Sequence, residues 1–101
     1  MIGDFSRAMK DSNRIVELVP DSPEFWNLKG NMHLLYAEYA EAIECHNRTV
    51  GLKPEYAESF YNRGLAHMMS YVVLQGCADL DESCHLGYER AGIAKLNFCG
   101  N

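Results

Sequence analysis

The sequence has few basic residues and no long apolar run. Only 9 of its 101 residues are Lys or Arg, against 14 Asp and Glu, which gives a formal net charge of −5. Such a surface repels a phosphate backbone, and the basic residues form no stripe, so we expect no nucleic-acid partner. No segment approaches the roughly 18 apolar residues of a membrane span, and no secretory signal is recognisable. We therefore expect a soluble, cytoplasmic protein that does not contact membranes.

The sequence also lacks the common catalytic motifs and cysteine pairs. It contains no glycine-rich phosphate loop, no nucleophile elbow and no H-E-x-x-H motif, so we expect neither an enzyme nor a cofactor. No two of its four cysteines have C-x-x-C spacing, and we expect free thiols in the core or at the surface. A small redox or metal protein that uses Cys77, Cys84 and the histidines is the less favoured alternative. The four cysteines are Cys45, Cys77, Cys84 and Cys99.

Two further groups of polar residues are interpreted as structural. His33 and His46 could face each other, but zinc would need two more ligands nearby, so we interpret both as packing residues. Asp79, Asp81 and Glu82 fall on one predicted helix and are interpreted as a solvated face.

Apolar residues recur every three or four positions along almost the whole chain, which indicates helices. Proline and glycine mark the ends, and Ser22 followed by Pro23 is typical of a helix start. No segment alternates as a half-buried strand would. These signals predict an all-α chain of antiparallel helical hairpins, with helices near 4–18, 23–36, 39–52, 55–70, 72–85 and 88–98.

The sequence repeats itself with a period of 34 residues. Residues of the same class stand 34 positions apart: aromatic with aromatic, small with small, proline with proline. A fixed period of this length indicates one helical hairpin used several times. The pairs are Pro20 with Pro54, Trp26 with Phe60, Gly30 with Gly64, His33 with His67, and Ala42 with Gly76.

The repeat resembles the tetratricopeptide (TPR) family. Trp26, Gly30, Ala42 and Pro54 match the pattern W-x2-L-G-x2-Y…A-x3-F…P, although Lys29, His33 and His46 depart from it. The resemblance implies one domain over residues 1–101, a right-handed α-solenoid of antiparallel helix pairs. Its parts are a half repeat (3–20), two full repeats (21–54 and 55–87) and a capping helix (88–99).

In TPR proteins the first helix of each repeat lines a concave groove, so the resemblance implies a protein-interaction module that binds a partner's peptide or helix there. The implied lining is mostly apolar with three amides, which can bond a peptide backbone. The alternative is that these residues pack against neighbouring helices. The residues are Asn27, Leu28, Asn31, Leu34, Leu35, Tyr61, Asn62, Leu65, Met68 and Met69.

One TPR subclass holds a C-terminal carboxylate with lysine, asparagine and arginine. Asn31 and Asn62 match its two asparagines, but Asn27 stands where that clamp has lysine. No third repeat supplies the remaining cations, so we do not expect a carboxylate clamp.

The runner-up function is structural: self-association, or a role as one part of a longer TPR scaffold. The predicted first helix has no partner helix of its own. Ala37 and Tyr71 stand at turns where the family usually has glycine, which adopts the left-handed conformation easily. We therefore expect a homodimer, if one forms, to use the N-terminal helix or a hairpin exchanged between two chains.

Overall fold

The computed structural model describes residues 2–100, with side chains from Phe5 onward. Six α-helices follow one another: α1 (Ile2–Leu18), α2 (Pro23–Leu35), α3 (Tyr39–Leu52), α4 (Ala57–Met69), α5 (Val73–His85) and α6 (Glu89–Cys99). No strand occurs within the described residues. The all-α prediction is confirmed, and every helix bound lies within two residues of its predicted position.

The start of α2 shows how local sequence sets these bounds. The backbone N–H of Phe25 donates to Ser22 Oγ, and Pro23 is the first helical residue, where a missing N–H does no harm. The indole N–H of Trp26 donates to the carbonyl of Pro20 at 2.8 Å. This last bond fastens the first turn of α2 to the loop that precedes it.

The helices pack in chain order. The most extensive contacts join α2 with α3 and α4 with α5, so these are the two hairpins, and α3 packs on α4. α2 also contacts α4, α1 packs on α2, and α6 packs on α5. The result is an elongated molecule of 40 × 27 × 19 Å in which α2 and α4 begin the two hairpins and α6 follows α5.

The interior between the helices is built largely from small and polar side chains. Among the described side chains, Leu80 is the largest that is fully buried, followed by His46, Thr49, Ser59 and Ser83. Thr49 Oγ1 donates to the carbonyl of Pro23, and Ser83 Oγ donates to the carbonyl of Ala57. Both bonds span 26 residues, so the repeat is also visible in its hydrogen bonds.

Glycines allow the two helices of each hairpin to come close. A Cβ added at Gly30 would lie 2.7 Å from His46 Nε2. In the next hairpin, a Cβ at Gly64 would lie 3.1 Å from the carbonyl oxygen of Gly76 and 3.3 Å from Leu80. His46 and Leu80 stand 34 residues apart and fill equivalent positions.

The two hairpin turns contain residues in the left-handed region. Ala37 has φ of 61° and Tyr71 has φ of 63°. A side chain in this conformation costs about 1–2 kcal/mol. The same backbone bond closes each turn: Glu38 N–H to the carbonyl of His33 at 2.9 Å, and Val72 N–H to that of His67 at 2.8 Å.

The interpretation of Asp79 as part of a solvated face was wrong. Asp79 is 6% exposed and receives two hydrogen bonds from the Arg63 guanidinium, at 2.7 and 2.8 Å. Its position on α5 faces α4, whereas Glu82, three residues later, is exposed. Hydrophobic patterning gave no sign of this contact because an ion pair inside a helical hairpin leaves no apolar periodicity.

Within residues 2–100, we find no helix that combines the length and the apolar character needed to cross a membrane.

Candidate functional site

A cleft of about 210 Å³ opens between α4 and α6. Tyr61 and Leu65 contribute its wall on α4, four residues apart and therefore on one helix face. On α6, Ile93 and Phe98 are large apolar side chains that remain 63% and 53% exposed. The full lining is Tyr61, Leu65, Arg90, Ile93, Ala94, Asn97 and Phe98.

Arg90 is the charged member of this lining, and Asn97 adds an amide. Apolar walls with a few polar groups are typical of a site that binds apolar side chains and orients them by hydrogen bonds. A guanidinium has five N–H donors and no acceptor, so Arg90 can bond carbonyl or carboxylate oxygens. The amide of Asn97 can both donate and accept.

The ten residues that the sequence analysis assigned to a groove lie in several different environments. Tyr61 and Leu65 line the α4–α6 cleft. Leu28, Leu35 and Met69 are exposed, at 49%, 78% and 57%. The other five are buried or half-buried in the structure: Asn27, Asn31, Leu34, Asn62 and Met68.

The amides on α2 and α4 are joined by helix packing. Asn62 is 8% exposed, and its side-chain N–H donates to Asn31 Oδ1 at 2.6 Å. Asn27 is 5% exposed. Met68 turns toward α5, where its terminal methyl lies 3.0 Å from the position of a Cβ at Gly76. Asn27, Asn62 and Met68 are therefore engaged mainly in helix packing.

Sequence reasoning assigned residues 88–99 to a capping helix and missed its contribution to the cleft. α6 supplies five of the seven lining residues. Its buried residues are Ala91 and Ala94, while Ile93, Leu96 and Phe98 are exposed. The order of the helices could have indicated this contribution. α6 follows α5 as α4 follows α3, so α6 takes the place in the solenoid of a helix that lines the groove.

The free-thiol prediction was wrong for two of the four cysteines. Cys77 on α5 and Cys99 in the last turn of α6 form a disulfide, with Cα atoms 5.9 Å apart. Spacing rules could not detect it, because the antiparallel arrangement of α5 and α6 brings together residues 22 positions apart. Cys45 is buried and Cys84 exposed, and both are free thiols. Burial raises the pKa of the Cys45 thiol.

A larger cleft of about 470 Å³ lies along α2 and α3. The Trp26 ring faces two cations there, with Lys29 Nζ at 5.3 Å and Arg48 Cζ at 5.2 Å from its centroid. Glu41 and Glu44 also line this cleft, so it carries both signs of charge. It lacks the pair of exposed apolar walls that distinguishes the α4–α6 cleft.

The histidines do not assemble a metal site. His33 Nδ1 contacts Glu38 Oε1 at 2.8 Å, and His46 Nδ1 contacts Ser59 Oγ at 2.7 Å, so each ring has a hydrogen-bond partner of its own. Among the described residues, no three His, Cys, Asp or Glu side chains are grouped to hold a metal ion.

Neither family models nor curated proteins show a match to this sequence. Solved structures do. The first TPR domain of Spaghetti (RPAP3), bound to the HSP90 peptide SRMEEVD, superposes with a TM-score of 0.90 at 16% identity, covering 97% of this chain and 79% of that one. A MamA double mutant (RS-1 ArsTM) and MamA from residue 41 of Desulfovibrio magneticus RS-1 each give 0.77 at 23% identity and cover 85% of this chain.

These likenesses establish the fold. The chain has the TPR fold, and its six helices correspond to about two and a half repeats and a capping helix. It spans about half the length of the two MamA chains.

Proposed function

We propose that this protein is a protein-interaction module that binds a partner's peptide segment through apolar side chains in the α4–α6 cleft. The observation that carries the proposal is the cleft itself, where α6 presents Ile93 and Phe98 opposite Tyr61 and Leu65. Exposed apolar side chains that converge on a concave surface are typical of such sites. A peptide bound to the TPR domain of Spaghetti supports this use of the fold.

Leu28 and Leu35, seven residues apart and therefore on one face of α2, add further exposed apolar surface. Arg90 and Asn97 hold the peptide backbone or a carboxylate of the ligand. The protein acts by binding, without catalysis, and works in the cytoplasm.

Replacing Ile93 with aspartate is expected to weaken peptide binding strongly. Peptides selected from a random display library against the protein are titrated by fluorescence anisotropy, with SRMEEVD as a second probe. Ile93→Asp places a charge in the apolar wall and should weaken binding of the selected peptide about a hundredfold, as for a central anchor residue. Leu74→Asp is the matched control, because Leu74 is 84% exposed on α5, outside the cleft.

The control should bind like the unmodified protein. Equal losses in the two variants would contradict the assignment of the cleft. SRMEEVD should bind more weakly than the selected apolar peptide. It carries several carboxylates, whereas the cleft lining supplies one cation, Arg90, to pair with them.

The second candidate function is self-association by exchange of hairpin arms, and the turn at Tyr71 favours it. Tyr71 combines a φ of 63° with 90% exposure of its side chain. If α4 and α5 joined into one long helix, Tyr71 would become helical and lose this strain. Two chains could then exchange α5 and α6 and re-form the same packing.

Tyr71→Gly is expected to lower the dimer fraction, because glycine adopts the closed turn without strain. Size-exclusion chromatography with light scattering, from micromolar to millimolar protein, measures the fraction with twice the monomer mass of 11.4 kDa. Leu74→Ala removes an exposed apolar side chain near the turn and should leave that fraction unchanged. A strictly monomeric protein at every concentration would refute hairpin exchange.

A further inference from the structure

α6 forms most of the cleft but is weakly held by non-covalent contacts. It has 11 residues, and isolated helices of this length are marginal in water, so α6 depends on docking against α5. Its buried side chains are the two alanines Ala91 and Ala94, which bury little apolar area. At Gly92 a Cβ would lie 3.7 Å from Cys84 Sγ, an ordinary contact distance, so the interface has room there for a methyl group that glycine does not supply.

The two ends of α6 are held differently. At its start, the Tyr88 ring packs on Tyr61 with centroids 5.1 Å apart, and the Tyr88 N–H donates to the carbonyl of Ser83 at 3.1 Å. In its middle, Lys95 Nζ donates to Asp81 Oδ1 in a pair that water reaches. At its end, Leu96 and Phe98 are exposed, and the attachment is the covalent bond from Cys99 to Cys77.

We propose that the Cys77–Cys99 pair is a redox site that controls the α4–α6 cleft, so that the protein binds its peptide in the oxidised form and releases it in the reduced form. This inference rests on the proposed peptide-binding function. Breaking the bond frees the last turn of α6, which carries Asn97 and Phe98, two of the cleft-lining residues. The contacts of Tyr88 keep the start of α6 in place, so the change is confined to the wall of the cleft.

The chemistry is a complete thiol–disulfide exchange with a cellular dithiol. One thiolate of the dithiol attacks a sulfur of the bridge, the Cys77–Cys99 bond breaks, and a mixed disulfide forms. The second thiol of the dithiol displaces the remaining cysteine and becomes oxidised. Two electrons pass to the protein, and Cys77 and Cys99 each end as a protonated thiol. Cys77 and Cys99 are only partly buried, so a small dithiol can reach them.

Such control is consistent with the cytoplasmic location proposed above. Disulfides are uncommon in the cytosol, and those that occur there are usually transient and either catalytic or redox-sensing. Glutathione and thioredoxin keep most cytosolic thiols reduced, so a half-buried bridge in that compartment is open to reduction. A bridge at the edge of a binding cleft couples peptide binding to the dithiol–disulfide balance of the cell.

The test compares oxidised protein, protein reduced with dithiothreitol, and the Cys99→Ser variant. Alkylation under denaturing conditions should label two thiols in the oxidised protein and four after reduction. Hydrogen exchange is then measured on α6, and the peptide selected on oxidised protein is titrated by fluorescence anisotropy. In the reduced protein and in Cys99→Ser, we expect the last turn of α6 to exchange about tenfold faster and the peptide to bind about tenfold more weakly.

Cys84→Ser is the matched control. It removes the exposed free thiol on α5, the helix that also carries Cys77, and keeps the bridge. This variant should therefore bind the peptide normally and still respond to dithiothreitol. Unchanged exchange of α6 on reduction would overturn the inference, whether or not a peptide binds. Equal affinity in both redox forms would also overturn it and leave the proposed function standing. Failure of every selected peptide to bind the oxidised protein would refute the proposed function, and the redox control of binding with it.

Discussion

Replacing Asp79 with alanine is expected to lower the free energy of unfolding by about 3 kcal/mol, because it leaves a largely buried guanidinium without its counter-charge. Arg63 is 19% exposed at its side chain and gives Asp79 two hydrogen bonds across α4 and α5. Arg63 also donates to Asn47 Oδ1 on α3 at 2.9 Å, so one side chain links three helices. A loss of this size is a large part of the stability of a small domain.

Urea unfolding followed by circular dichroism measures the loss. Asp81→Ala is the control on the same helix, because Asp81 pairs with Lys95 where water reaches both groups. Its unfolding midpoint should move much less. The double variant Arg63→Met/Asp79→Leu should recover much of the stability that Asp79→Ala loses, since it removes the unpaired charge. Equal losses for Asp79→Ala and Asp81→Ala would contradict this interpretation.

The stability of the protein is expected to fall by about 3 kcal/mol between pH 6.5 and pH 4 because of His46. Burial, and secondly the nearby Arg63 charge, lower the pKa of His46 from 6.5 to about 4. Between these pH values the unfolded chain binds a proton that the folded protein does not. The contribution of neutral His46 to the free energy of unfolding is therefore complete above pH 6.5 and is lost as the pH falls toward 4. Its size is about 1.4 kcal/mol per unit of difference between the two pKa values.

His46→Leu isolates this effect, because Leu80 fills the equivalent position in the next hairpin. Urea unfolding at a series of pH values should show a flatter profile for the variant than for the unmodified protein. Comparing the two profiles removes the contribution of the carboxylates. His67 contributes in the same direction in both proteins, since burial lowers its pKa against the opposing effect of Asp79. Parallel profiles would show that His46 does not titrate in this range.

Helix positions could be predicted from the sequence because their signals are local. Ser22 with Pro23, and the prolines at 20 and 54, act within one turn of their own positions, and the helices end close to where these residues indicate. The positions of the two left-handed turns could also be recognised from local sequence. Ala37 and Tyr71 stand 34 residues apart at the place of a turn glycine, and both have positive φ.

The contacts between helices could not be predicted in the same way. Whether Asp79 meets solvent or Arg63 depends on the rotation of α5 against α4, which a single apolar pattern does not determine. The Cys77–Cys99 bridge depends on the distance between two helices at one level of the solenoid. The position of the cleft follows from the same packing, because Asn62 bonds Asn31 where an open groove was expected.

The most direct test of peptide binding in the α4–α6 cleft is a titration of the oxidised, ¹⁵N-labelled protein with the selected peptide, followed by amide chemical shifts. The largest shifts are expected at Tyr61 and Leu65 on α4 and at Ile93 and Phe98 on α6, the residues that form the two walls. Shifts centred on Trp26, in the cleft along α2 and α3, would place the site elsewhere and contradict the proposed function.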